Sequence, residues 1–243
     1  MLAAAATLTL VGGGSVAAAG AANAATPSCG ESCIGVFSHQ FGTFKDPGFV
    51  MDSYKQGSVT GTPVILFRTS NSDPAEDFTI ADEGLLSEFY AANLVSASVA
   101  LHYGCTTGVF GACAGNGQAD YEAYEFMYSP YGVQTGLCVG VAATAVKGEH
   151  VTLQPCGVSG KTVWITDSYT GSLTGLAEPL INGSDTDFSD PYGLTYPGSG
   201  YPTDRPRPVL YTSNVLGFSD GQISTNQLWS AVGGPLPSSG ILP

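Results

Sequence analysis

Residues 136–165, GLCVGVAATAVKGEHVTLQPCGVSGKTVWI, carry the pattern that decides the fold. An apolar run, Leu137-Cys138-Val139, gives way to small residues and a turn signal at Lys147-Gly148. A second run, Val151-Thr152-Leu153-Gln154, alternates apolar with polar side chains, the period of a half-buried strand. A polar loop follows, and Trp164 closes the unit. The same order recurs in 49–80 (FVMDSYKQGSVTGTPVILFRTSNSDPAEDFTI), which ends near Phe78. A longer and looser copy runs from YGLTYP (192–197) through RPVLYTSN (207–214) to TNQLWS (225–230), and its closing aromatic is Trp229. A unit this small cannot bury its own apolar face, so three copies are expected to bury theirs together.

The rest of the chain has the same texture. Short apolar or alternating runs cut by Gly, Pro, Asn and Asp mark strands at 34–37, 48–52, 63–68, 77–80, 94–103, 122–128, 137–142, 150–154, 162–166, 192–196, 208–212 and 227–232. Twelve short strands belong to a barrel or a sandwich. Helix signals are confined to 79–93 (TIADEGLLSEFYAAN), with Ser87 as the candidate cap and Leu85, Leu86, Phe89 and Tyr90 on the apolar side.

The three segments resemble the ricin B-type, or Q-x-W, repeat, in which Cys-Leu-Asp-Val leads to Gly-x-x-Val-x-Leu-x-x-Cys and then to Gln-x-Trp. Leu137-Cys138-Val139, Val151-Thr152-Leu153-Gln154-Pro155-Cys156 and Trp164 carry the match in the second copy. Val50-Met51-Asp52, Gly61-Thr62-Pro63-Val64, Leu66-Phe67 and Phe78 carry it in the first, and Asn226-Gln227-Leu228-Trp229 in the third. The resemblance implies an all-β chain folded as a β-trefoil of three pseudo-equivalent repeats, about 34–83, 126–167 and 179–235. It further implies that Phe78, Trp164 and Trp229 are core aromatics. The extra length between the closing aromatics falls in two long insertions, about 84–125 and 168–225.

The resemblance also implies a secreted, lectin-like carbohydrate-binding module. Such a site needs a carboxylate to accept hydrogen bonds from neighbouring sugar hydroxyls, an aromatic face against the C–H side of the ring, and an amide. In the first repeat Asp52 takes the acidic position and Phe67 the aromatic one, but Ile65 stands where the amide belongs and Glu76 replaces the Gln before the core aromatic. In the second the two positions hold Gly140 and Gln154, so that site is lost. In the third, Tyr211 is the aromatic and Asn226 and Gln227 are amides, while Thr195 sits at the acidic position. The expected carbohydrate-binding residues are thus Asp52, Phe67, Tyr211, Asn226 and Gln227, holding a neutral glycan. The alternative is a structural or protein-interaction trefoil that has lost sugar binding and docks partners through its insertions. A third reading, a glycoside-active enzyme, would need a carboxylate pair in a cleft.

Composition narrows the setting. The first 24 residues are uncharged, rich in Ala and Gly, and end in Ala22-Asn23-Ala24, which reads as a signal peptide of an extracellular protein, with the mature domain at 25–243. The leader lacks a basic start, so the translation start is expected upstream of Met1. Six cysteines follow it, an even set that reads as three disulfides. Of the 15 pairings six cysteines allow, spacing favours Cys29–Cys33, Cys105–Cys113 and Cys138–Cys156, the last where the resembled family often bridges a repeat. A formal charge of −13 repels phosphate backbones and anionic lipid surfaces, so neither nucleic acid nor membrane is an expected partner.

No serine-nucleophile elbow, zinc-protease helix or phosphate loop lies in the mature chain, so no catalytic residue, cofactor or metal is expected. The acidic stretch Asn182–Asp190 reads as a loop of Asx-turns rather than a calcium loop, although Asn182-Gly183-Ser184 also spells a glycosylation sequon. Pro202–Pro208 (PTDRPRP) reads as an extended surface segment.

Overall fold

The computed structural model describes residues 29, 33–70, 73–103, 121–166, 177–189, 191–196, 209–212 (backbone only) and 225–233. The leader, the expected Cys105–Cys113 bridge and the Pro202–Pro208 segment lie outside the described residues.

Among the described residues twelve strands follow in chain order: β1 (Ile34–Ser38), β2 (Phe49–Ser53), β3 (Val64–Arg68), β4 (Phe78–Leu85), β5 (Glu122–Tyr128), β6 (Leu137–Val141), β7 (Val151–Pro155), β8 (Trp164–Thr166), β9 (Ile181–Asn182), β10 (Tyr192–Thr195), β11 (Val209–Thr212) and β12 (Trp229–Gly233). Antiparallel pairing links β1 to β4, β4 to β5, β5 to β8, and β8 to β9. Trp229 and Glu178 exchange both backbone hydrogen bonds, 2.8 Å each, joining the approach to β9 with β12. β12 then pairs with β1 and closes a six-stranded barrel. The remaining strands form three hairpins, β2–β3, β6–β7 and β10–β11, each hung on the first barrel strand of its own repeat. A closed six-stranded barrel with three equivalent hairpins is a β-trefoil.

Strand pleating puts alternate residues on opposite faces, and β5 shows the result. Tyr124, Phe126 and Tyr128 point into the barrel, where they meet Phe78, Trp164, Trp229 and the apolar residues of the hairpins in one continuous core. The three closing aromatics are each fully buried. Trp164 donates its indole N–H to the Val139 carbonyl at 2.9 Å, and Trp229 donates to the Leu194 carbonyl at 2.8 Å. The two tryptophans therefore stitch barrel strand to hairpin in equivalent ways.

Residues 94–103 correct the strand expected there. The segment forms helix α2 (Ala97–Tyr103), entered through Ser96, whose hydroxyl accepts from the Val99 N–H at 3.3 Å. Its buried residues, Val99, Ala100 and Tyr103, have the spacing of one helical face. The helix expected within 79–93 is shorter than its signal. β4 continues to Leu85 because it pairs with β5 as far as Leu85↔Glu122, so α1 spans only Leu86–Ala91. Its entry residue is Leu85, not Ser87, and the Glu88 carboxylate accepts the Leu85 N–H at 3.0 Å. Both helices pack on the outside of the barrel, in a second core with Ala123, Val163, Ile165 and Ile181. β9 has only two residues between Pro179 and Gly183, too few to leave a pattern in the sequence. No helix among the described residues is long and apolar enough to cross a membrane.

Candidate functional site

Each hairpin presents one residue beside the position two before the closing aromatic. In the third repeat Thr195 receives a hydrogen bond from the Gln227 amide at 3.1 Å. In the second, Gly140 lies against Lys161 and Thr162: a Cβ there would come within 2.6 Å of the Lys161 carbonyl and 2.8 Å of the Thr162 methyl. In the first, Asp52 faces Glu76, one carboxyl oxygen each of Asp52, Asp73 and Glu76 lying within 4.8 Å of one another. Glu76, Thr162 and Gln227 are all buried. The barrel thus repeats one contact three times with three different chemistries.

Only the first repeat combines an acid with an aromatic in that arrangement, and a cavity of about 230 Å³ opens there. Asp52, Lys55, Gln56, Phe67, Asp73 and Ala75 line it. β2 and β3 bring Asp52 and Phe67 together, because Asp52 pairs with Ile65, two residues before Phe67 on the same strand face. The chain after β2 folds back over the cavity with Lys55 and Gln56 both in the left-handed region, at φ 57° and 55°. Backbone of this kind is costly for residues with a Cβ and tends to occur where a loop shapes a site. Gln56 donates to Asp73 at 3.5 Å, and Asp73 in turn caps the 3₁₀ turn Pro74–Glu76 by accepting the Ala75 N–H at 3.0 Å.

Glu76 stands behind the cavity rather than in it. It is 1% exposed, and both its carboxyl oxygens accept from the Ser70 N–H, at 3.0 and 2.8 Å. Burial pushes its carboxyl up to about 9; the Ser70 N–H works against this, while Asp52, Asp73 and Asp77 add to it. Asp77, flanking the same turn, is also raised by burial, against the pull of the Tyr131 N–H that it accepts at 2.8 Å.

The other expected site residues are placed differently. Asn226 donates its side-chain amide to the Tyr196 carbonyl at 3.0 Å, and Gln227 is buried on Thr195, so both amides have partners inside the third repeat. Tyr211 pairs with Gly193 across β10–β11. In the second repeat the Glu125 carboxylate accepts from the Thr162 hydroxyl at 2.5 Å and from the Gly157 N–H at 3.0 Å. Lys55, Gln56 and Asp73 were not among the expected site residues; Asp73-Pro74, the cap-then-proline start of a helical turn, was the one local signal for them.

Away from the cavity, Asn182 is fully buried, donates to the Lys161 carbonyl at 3.1 Å and accepts from Ser184, which closes the sequon to modification in the folded chain. Asp185 accepts the Asp187 and Tyr192 N–H groups at 2.8 and 2.5 Å, the bonding of an Asx-turn. Disulfides join Cys29 to Cys33 and Cys138 to Cys156. His39 shares a 2.7 Å hydrogen bond with Ser230, which is fully buried.

No protein-family model and no curated protein matches the sequence. Among solved structures the chain is similar to the designed three-fold symmetric protein ThreeFoil, at 12% identity and TM-score 0.49, over 83% of this chain and 98% of that one. It is also similar to the Rhizoctonia solani agglutinin, at 11% identity and TM-score 0.45, over 83% and 95%. The C-half of the earthworm R-type lectin, solved with GalNAc, gives 11% and 0.43, over 83% and 98%. These neighbours are β-trefoil proteins, lectins among them. The trefoil assignment itself stands on the strand pairing above.

Proposed function

We propose that this protein is an extracellular, non-catalytic carbohydrate-binding module that holds a neutral glycan in the cavity of its first repeat. The observation that carries the reading is the meeting of Asp52 and Phe67 in one cavity wall. Asp52 supplies an acceptor for sugar hydroxyls, Phe67 an apolar face, and Gln56 and Lys55 supply donors at the rim. The cavity is smaller than the roughly 300–1,000 Å³ of drug-sized sites, and suits a single sugar ring at a chain end or branch.

Retention on a panel of immobilised neutral polysaccharides tests the proposal. Asp52→Ala is expected to weaken retention about tenfold or more, the scale of losing a charged hydrogen-bond acceptor, with the far-UV circular dichroism unchanged. Wild-type protein that none of the panel retains would overturn it.

One observation favours a second reading, docking of a protein partner through the first insertion. Leu85, Tyr90 and Leu101 leave apolar surface exposed on and beside α1 and α2, at 44%, 39% and 61%. Leu101→Glu weakening capture of such a partner, with glycan retention intact, would separate the two.

A further inference from the structure

Three-fold equivalence makes Glu76 stand out. Its counterparts touch their hairpins with neutral groups: the Gln227 amide donates to Thr195, and Thr162 packs on Gly140. In the first repeat the equivalent positions hold two carboxyl groups, with an oxygen of each within 4.8 Å of the other and both almost wholly out of solvent, Asp52 at 4% and Glu76 at 1% exposure. Buried carboxyl groups this close disfavour one another's ionised form, and a proton held by one turns repulsion into attraction. The Ser70 N–H already binds both Glu76 oxygens from behind. A proton on Glu76 has oxygens of Asp52 and Asp73 within 4.8 Å of the carboxyl.

We propose that Glu76 is a positioning residue, whose protonated carboxyl props Asp52 from behind the cavity and so keeps the pocket in its ligand-ready shape. The coupling to a ligand rests on the glycan reading above; the prop itself does not. The groups facing Glu76 are nearly all acidic or acceptors. They are Asp52 from β2, and Asp73 and Asp77 from the two ends of the 3₁₀ turn, with the Ser70 N–H as the donor among them. Lys55 at the cavity rim is the one cation lining the pocket among the described residues. Burial with these neighbours holds the Glu76 carboxyl at about 9, so the prop is intact at neutral pH and fails in mild alkali. The folded-state value lies above the ordinary 4.5. The stability tied to this proton is therefore greatest in acid and declines as pH rises toward 9.

The full chain and its Glu76→Gln variant decide the matter between about pH 5 and pH 10, a span that brackets a carboxyl raised in this way. Carboxyl carbon shifts report the Glu76 proton, and amide shifts of Lys55 and Gln56 report the cavity wall, neither needing a ligand. Retention on the same polysaccharide panel reports binding. Glu76 is expected to titrate far above the usual carboxylate range, with Lys55 and Gln56 moving at the same midpoint and retention falling about tenfold through it. E76Q, carrying the amide that the third repeat already uses, is expected to abolish the step and to retain glycan evenly across the range.

Glu76 titrating as an ordinary carboxyl would overturn the prop. So would a wall that ignores its titration, or a wild-type pH profile that persists in E76Q. A wall that moves with Glu76 in a protein that retains no glycan at any pH upholds the prop and counts against the glycan reading instead. Should E76Q fail to fold, the wild-type titration settles the prop alone.

Discussion

Trp229→Ala is expected to cost about 4 kcal/mol of folding stability, in the range of large aromatic deletions from a core. Trp229 is fully buried, shares the barrel interior with Phe78 and Trp164, and donates its indole N–H to Leu194 at 2.8 Å. Alanine leaves a cavity on the pseudo-three-fold axis and takes the donor from a buried carbonyl. Trp229→Phe separates these effects. It keeps most of the ring volume but loses the hydrogen bond, and should cost roughly 1–3 kcal/mol. Phe78 shows that the barrel accepts a phenyl ring when no donor is needed there. Urea unfolding followed by far-UV circular dichroism measures both, and a Trp229→Ala protein as stable as wild type would mean the three rings do not share one core.

Opening the Cys138–Cys156 disulfide by paired serine substitution is expected to cost about 3 kcal/mol, the scale for releasing a loop of this length in the unfolded chain. The bridge spans 18 residues and ties together the two strands of the second hairpin, whose ladder runs from Leu137↔Pro155 to Val141↔Val151. That hairpin also supports the first through the Thr62–Leu153 and Gly61–Leu153 backbone bonds, both 2.8 Å. Losing the disulfide should therefore loosen the cap of the barrel beyond its own repeat. Thermal unfolding of the serine pair against wild type, with Cys29–Cys33 intact in both, gives the difference directly; equal midpoints would refute it.

The trefoil was legible because its determinants are local. Strand period, turn glycines and a closing aromatic all lie within some thirty to forty consecutive residues of each repeat, as in 136–165. The insertion misled for a physical reason: Leu94-Val95 and Val99-Ala100-Leu101 are as apolar as a strand, and only Ser96 as a cap and the spacing of Val99 and Tyr103 distinguish α2. Strand pairing decided the other boundary, since β5 holds β4 extended through residues that favour a helix. At the site, Asp52 and Phe67 could be chosen in advance because strand register fixes them. Lys55, Gln56 and Asp73 could not, because they reach the cavity through left-handed backbone and a capped turn. That Glu76 departs from a Gln was visible in the sequence; that it faces Asp52 follows only from the fold.

A three-fold scaffold offers three chances to hold a ligand, and here the copies have diverged. With glycine filling the acid position in the second repeat and threonine in the third, a glycan held through Asp52 is held at one point per chain. Holding through that one pocket would draw no avidity from the scaffold's own symmetry. The molecule would act as a tether that comes and goes singly, with residence set by one pocket's off-rate.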